Sequence, residues 1–318
     1  MPAITLVQFE VELVIMHEGK EHAPSTIRQV KQVLRELREI GACKTSDFTD
    51  VVISAWKKAH RDRTPVTTKS HLRCMSAMCT RARKKGYLKA DPFDLDPINE
   101  WIRDDAPSSR PKKHWSLTVD ETRRVLEIAA RAKSDGGWDA MRDWAYASGL
   151  IMLGMRPGEL QRLEVWDVDL TRKTVKIHAK KVPVQGKPDR WWRPKSVGSG
   201  GMLPLGDHLA SVWSEWIPHT GCRWLFPGKK RRGPWTGGGP GVSPLDRMKA
   251  LGHLAGVNFW NKSGRKGVGT NCLFLSPLER QGLFRHADES VGDFYDEKQA
   301  EALRDAANQV ERLYLTGT

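Results

Sequence analysis

Long apolar runs are missing from this chain. No stretch of about 20 apolar residues occurs, the length that a membrane-crossing helix needs, and neither end carries a basic amphipathic anchor. The first residues lack a basic segment and include Glu10 and Glu12, so no secretory leader is predicted. Cysteine is scarce. Five scattered residues, an odd number, predict reduced thiols in a cytosolic protein rather than a disulfide framework. Cys74 and Cys79 share a predicted helix, but no second pair stands at metal-ligand spacing, so neither a metal nor any other cofactor is expected. Tyrosine is scarcer still, with four residues in 318. Acids are outnumbered, 38 against 52 Lys and Arg, which leaves a formal charge of +14 and a pI near 9.7. Such an excess needs an anionic partner, and nucleic acid fits better than a membrane surface.

What is present suits two domains, because 318 residues exceed a typical single core and 39% hydrophobic content is enough to fold them. Thirteen tryptophans supply core and interface material. Residues 5–17, 25–40, 47–60 and 67–86 read as helices. In the second, Ile27, Val30, Leu34, Leu37 and Ile40 share a face and Gly41 ends it. The fourth has Leu72, Met75, Cys79 and Ala82 as its apolar stripe. It also carries Lys69, Arg73, Arg81, Arg83, Lys84 and Lys85, just after Lys57, Lys58, His60, Arg61 and Arg63. A solvated face explains ordinary charge runs. This density predicts a surface that tracks phosphates. The polar, proline-bearing stretch 103–114 reads as a linker, giving a helical domain over 1–102 and a larger domain over 115–318.

In the larger domain, Thr118 to Glu121 forms a capping box ahead of Val125, Leu126, Ile128 and Ala129. A helix over 138–153 and an alternating strand over 173–179 follow. A long polar insert then carries Lys187, Arg190, Trp191, Trp192, Arg193 and Lys195, before a returning strand at 202–205 and helices at 207–217 and 245–256. Between those helices, 227–244 is rich in Gly and Pro and predicts a mobile basic loop with Lys229, Lys230 and Arg231. No internal repeat occurs. The fold class is therefore mainly α with a small β-sheet.

Two anchors carry chemistry. Arg156-Pro-Gly-Glu159-Leu160 ends an apolar helix, and a strand ending in Lys180-Lys181 follows about 24 residues later. An arginine there has a structural reading too, paired with Glu159 or a carbonyl. Near the chain end, 278–298 shows neither a helical stripe nor strand alternation, and holds His286 with Tyr295 nine positions on. Between the anchors stands Lys262-Ser-Gly-Arg265, for which a surface basic turn is the plain alternative and Arg280 a distant substitute. This ordered set resembles the tyrosine recombinases, the phage-integrase family, over about residues 5–300. Where this chain has Lys262 the family usually has histidine, and the residues after Arg265 depart from its usual helix start.

The resemblance implies a helical core-binding domain, a mixed catalytic domain, and the catalytic set Arg156, Lys180, Lys262, Arg265, His286 and Tyr295. Lys181 or Lys195 stays open as the hairpin lysine. Two arginines would clamp the phosphate oxygens, each worth about 3 kcal/mol of barrier. The lysine would protonate the leaving 5′ oxygen, and the histidine would assist a phenol whose pKa is ordinarily near 10. A covalent 3′-phosphotyrosyl bond keeps the bond energy, so neither metal nor ATP is required. The implied partner is double-stranded DNA with paired inverted half-sites. The implied assembly is a tetramer on DNA and a monomer free in solution, because a +14 chain repels itself. No arm-binding domain is expected. The implied setting is the cytoplasm of a prokaryotic cell or of the host of a phage or mobile element. The last helix, with Ala300, Leu303, Ala307, Val310 and Leu313 in one stripe, is expected to dock on a neighbouring protomer. A type IB topoisomerase or resolvase shares the catalytic set, and a binding protein that has lost catalysis shares the fold.

Overall fold

Thr5 opens the first helix. Its side chain accepts from the Gln8 N–H while Gln8 reaches back to the Thr5 backbone, satisfying two donors that a helix start leaves orphaned. In this computed structural model the described residues are 2–20, 22, 24–94, 116–184, 187–194, 200–230, 233–236, 242–284 and 297–317. The chain divides into two compact units, Met1–Lys112 and Lys113–Thr318. The 103–114 stretch lies outside the described residues.

The first unit holds α1 (Leu6–Gly19), α2 (Pro24–Glu39), α3 (Asp50–Ala59) and α4 (Pro65–Lys84). The fourth starts earlier than its apolar stripe predicts, because Thr64 caps it and Pro65 fits the first turn without losing a bond. Leu6, Phe9, Leu13, Val30, Val33, Leu34, Leu37, Trp56, Leu72 and Met75 form its core, each contributing roughly 1.5–3 kcal/mol when fully buried.

A carboxylate sits inside this core. Glu36 is 3% exposed and accepts from the Trp56 indole at 3.0 Å, from Gln32 at 2.9 Å and from both Arg63 guanidinium nitrogens at 2.9 and 2.8 Å. His60 and His71 approach it at 3.4 and 3.5 Å. Burial alone raises its pKa, but the hydrogen bonds from Arg63, Gln32 and Trp56 prevail and hold it at about 2. Arg63 and His60, which the sequence placed with the outward basic run, are therefore turned inward by a partner on α2. Because Glu36 titrates lower folded than its ordinary 4.5, its stabilisation is present above that pH and is lost as pH falls toward about 2. Glu36→Gln should cost about 3–5 kcal/mol in urea unfolding at neutral pH, since it strands the Arg63 charge. It should also flatten the acid loss of stability in that window.

The second unit opens with α5 (Val119–Asp135), capped by Thr118 and Glu121 as predicted, and α6 (Gly137–Met152), buried along its whole second half. The short helix α7 (Pro157–Leu160) follows. Strands β1 (Val168–Asp169), β2 (Thr174–Ile177) and β5 (Gly201–Pro204) make an antiparallel sheet in the order β1-β2-β5. The predicted polar insert is instead a second hairpin, β3 (Lys180–Val184) with β4 (Lys187–Trp192), in which Lys180 faces Trp192 and Lys181 faces Trp191. Helices α8 (Asp207–Trp216), α9 (Pro244–Leu254), α10 (Ser263–Asn271), α11 (Pro277–Phe284), α12 (Glu297–Ala302) and α13 (Arg304–Thr316) complete the unit. The fold is mainly helical with a small antiparallel sheet, as the sequence predicts.

Three expectations change. Within the described part of the Gly–Pro stretch one residue is held fast: Trp235 is 1% exposed, donates to the Val242 carbonyl at 2.8 Å, and stacks on Arg142, whose guanidinium carbon lies 3.7 Å from the ring centre. The stretch after Ser276 begins as a helix, because Ser276 and Glu279 cap it reciprocally. The last helix folds back on its own unit. Ala306, Ala307, Val310 and Tyr314 are buried, and the Glu311 carboxylate accepts the His208 and Leu209 N–H groups at the start of α8, at 2.8 and 2.9 Å. Its apolar stripe is used at home, so it does not offer the expected docking face.

Candidate active site

The Arg156 motif is built by its own turn. Arg156 precedes α7, Pro157 takes the first helical position, and the buried Glu159 accepts the Arg156 N–H at 3.1 Å and its guanidinium at 3.0 Å. The structural reading of this arginine, a pair with Glu159, is thus realised. It also orients the group, of which 27% stays exposed.

Arg265 reaches the same turn from the other side. It lies on α10, and its guanidinium donates to the Gly154 carbonyl at 3.0 Å, two residues before Arg156. Gly264 explains the approach. A Cβ there would run into the Leu150 carbonyl and the Ile151 backbone at the end of α6, so α10 lies against α6 only because this residue is glycine. Gly154 itself has φ 55°, the left-handed conformation that turns the chain out of α6 toward Arg156. Lys262 directly precedes α10, exposed, with its ammonium 5.6 Å from the Trp260 ring centre. Lys262 and Arg265 therefore leave the same end of one helix, and Arg265 bonds the main chain two residues before Arg156.

Lys180 is placed differently. It is 6% exposed and its ammonium is hydrogen-bonded to the buried Asp167, which also holds His178 Nε2 at 2.7 Å and the Glu164 N–H at 2.7 Å. This lysine braces the base of the hairpin against the turn after α7. Lys181 is exposed, 5.9 Å from the Trp191 ring centre. Asp167 and His178 were not singled out from the sequence, where Asp167 reads only as part of an acidic turn. Lys195, Arg231, His286 and Tyr295 lie outside the described residues.

The described tyrosines can be compared. Tyr146 and Tyr314 are 0 and 1% exposed, and burial raises the pKa of both. Tyr87, in the first unit, donates to Glu12 at 3.0 Å, which raises its pKa. Tyr314, the next tyrosine after Tyr295, is thus a core side chain.

The basic residues of the first unit separate into two groups. Lys58, Arg61, Arg73 and Lys84 are exposed and Lys57 and Lys69 half-buried. Arg73 and Arg81 line a groove of about 310 Å³ between α1, α2 and α4. Arg83 is ion-paired with Asp94. In the second unit Lys229 and Lys230 are exposed. Among the described residues, no group of three or more His, Cys, Asp or Glu is placed to hold a metal ion, and no helix is long and apolar enough to cross a membrane.

No protein-family profile and no curated protein matches the sequence. The fold has solved counterparts. The Tn1549 transposon integrase, in complex with a circular intermediate DNA, superposes with a TM-score of 0.67 at 16% identity, over 98% of this chain and 99% of that one. A lambda integrase dimer bound to a COC′ core site gives 0.59 at 15% identity, over 93% of this chain and 79% of that one. A lambda integrase tetramer bound to a Holliday junction gives 0.58 at 13%, over 92% and 80%. The chain therefore has the integrase fold.

Gly264→Ala should separate α10 from α6 and cost about 1–3 kcal/mol of stability, the range for overpacking a tight contact. Thermal unfolding reads it, and an unchanged midpoint would mean that the contact is not tight.

Proposed function

We propose that this chain is a tyrosine site-specific recombinase that cuts and rejoins double-stranded DNA. The observation that carries the reading is the meeting of Arg156 and Arg265 around the Gly154 turn, one oriented by Glu159 and the other by a main-chain carbonyl. Two fixed guanidiniums at one place suit the two non-bridging oxygens of a phosphodiester, whose negative charge grows in the transition state. Lys262 stands at the start of the helix that carries Arg265. The integrase fold supports the same reading.

In the proposed reaction, the Tyr295 oxygen attacks the phosphorus and His286 takes or holds the phenol proton. A 3′-phosphotyrosyl bond forms as the bond to the 5′ oxygen breaks, and a lysine delivers the proton that this oxygen needs. Rejoining runs the same steps backward with a new 5′ hydroxyl. Lys180 is committed to Asp167, so the general-acid role falls to Lys181 or Lys195. Tyr146 and Tyr314 are buried and Tyr87 belongs to the other unit, which supports Tyr295 as the nucleophile. Lys57, Lys58, Arg61, Lys69, Lys84, Lys229 and Lys230 contact phosphates, with Arg73 beside them. Arg83 contributes less, because it already has Asp94. The protein binds paired inverted half-sites as a tetramer, is a monomer without DNA, and works in the cytoplasm of a prokaryotic cell or of a phage or mobile-element host.

A nicked duplex taken from the DNA flanking its own gene, run on a denaturing gel, tests the chemistry. The chain should be trapped as a covalent adduct. Tyr295→Phe should bind and form none, and Arg156→Ala or Arg265→Ala should each slow adduct formation by about 10²–10³-fold. Retarded DNA without any adduct would establish a binding protein that keeps the fold and lacks catalysis.

The surface assignment has a separate readout. Replacing Lys57, Lys58 and Arg61 with Gln should flatten the log–log salt dependence of DNA binding by about 0.9 for each phosphate contact removed. An unchanged slope would place the DNA on another face.

A further inference from the structure

We propose that His178 is a positioning residue for the proton-transfer step, acting through Asp167 on the hairpin that presents Lys181, a proposal that rests on the recombinase reading above. The Asp167 carboxylate is buried and gripped at both oxygens. One oxygen accepts the Glu164 N–H at 2.7 Å and the Lys180 ammonium. The other faces His178 Nε2 at 2.7 Å. His178 Nδ1 lies 2.9 Å from the Ala179 carbonyl oxygen. Carboxylate and carbonyl oxygens only accept, so Nε2 is the donor to Asp167. Lys180 and the Glu164 N–H already satisfy the charge of Asp167. What the histidine adds is a hold on the second oxygen, which fixes the plane of the carboxylate.

Location gives this clasp its use. Glu164 and Asp167 lie on the segment that leaves the Arg156 turn, and His178 and Lys180 stand at the entrance of the hairpin, so one carboxylate ties the two together. Lys180 and Lys181 are neighbours in β3, and neighbouring side chains of a strand point to opposite faces. Lys180 is therefore fastened to Asp167 while Lys181 emerges on the other side, exposed and opposite Trp191. The main chain of Lys181 is held as well. Arg223, paired with Glu164 at 3.6 Å, donates to the Lys181 carbonyl at 3.5 Å. A proton donor must stay within hydrogen-bond reach of the atom it serves, and a misplacement of about 1 Å can cost about 10²-fold in rate. The His178 side chain is 40% exposed, so removing it opens no cavity in the core.

The test changes the leaving atom. The adduct on nicked DNA maps the scissile phosphate, and the same duplex is then made with sulfur in place of the 5′ bridging oxygen. The bond from the Tyr295 oxygen to phosphorus still forms, but the bond that breaks is phosphorus to sulfur, and the sulfur leaves with the electron pair as a thiolate. A thiol has an ordinary pKa near 8.5, so it leaves without a delivered proton. His178→Ala should slow adduct formation on the oxygen duplex by about 10- to 10²-fold, and on the sulfur duplex by less than about threefold. Lys181→Ala should show the same pattern. His178→Gln, which keeps a donor, should recover part of the oxygen rate. Equal slowing of His178→Ala on both duplexes, which a folding defect or a purely structural role produces, would overturn the proposal, as would an oxygen rate equal to wild type. Absence of a wild-type adduct on either duplex would instead remove the recombinase reading, and this proposal with it.

Discussion

One close approach organises the second unit of the molecule. Helix α10 lies against the end of α6 at Gly264, where no side chain fits. That contact carries Arg265 to the Gly154 carbonyl, and Gly154 turns the chain toward Arg156. Each arginine is fixed by a partner that is not DNA, Glu159 for one and a main-chain carbonyl for the other, so the pair is arranged before any phosphate arrives. Groups fixed in advance act on developing charge without paying reorganisation during the reaction.

Internal use of charge shapes the rest. Formal charge overstates the surface available to DNA, because several cations are spent inside. Arg63 serves Glu36, Lys180 serves Asp167, and Arg142 is stacked on Trp235 and paired with Asp139 at 2.9 Å. These pairs define where turns and loops sit. The Glu36 cluster holds the end of α3 and the start of α4, which leaves Arg61 exposed between them. Arg142 anchors the stretch that presents Lys229 and Lys230. Buried pairs of this kind specify geometry more than they add net stability.

Most helices were legible in the sequence because their signals are local. The capping box at Thr118 and the stripe from Leu72 to Ala82 are each contained within one element. The Arg156 motif was legible for the same reason, since Glu159 is three residues from the arginine it orients. The Lys180–Asp167 pair was not legible because the partner lies thirteen residues back, beyond β1 and β2, and spacing says nothing about a buried carboxylate there. The insert was read only as polar because its strands carry Lys, Arg and Trp without clean alternation, yet cross-strand pairing supplies the order. The last helix showed its stripe correctly, but a stripe does not say whose core it enters. Glu311 and the N-terminus of α8 settle that through space.

The nucleophile is the point on which the recombinase reading turns, and one measurement reaches it directly. The adduct trapped on nicked DNA can be digested with nuclease and trypsin and its peptides weighed. Cleavage after Arg285 and Lys298 releases residues 286–298, which contain His286 and Tyr295 and no other tyrosine. A nucleotide mass on that peptide is the predicted result. The same mass on a peptide carrying Tyr87, Tyr146 or Tyr314, or on none at all, would contradict it.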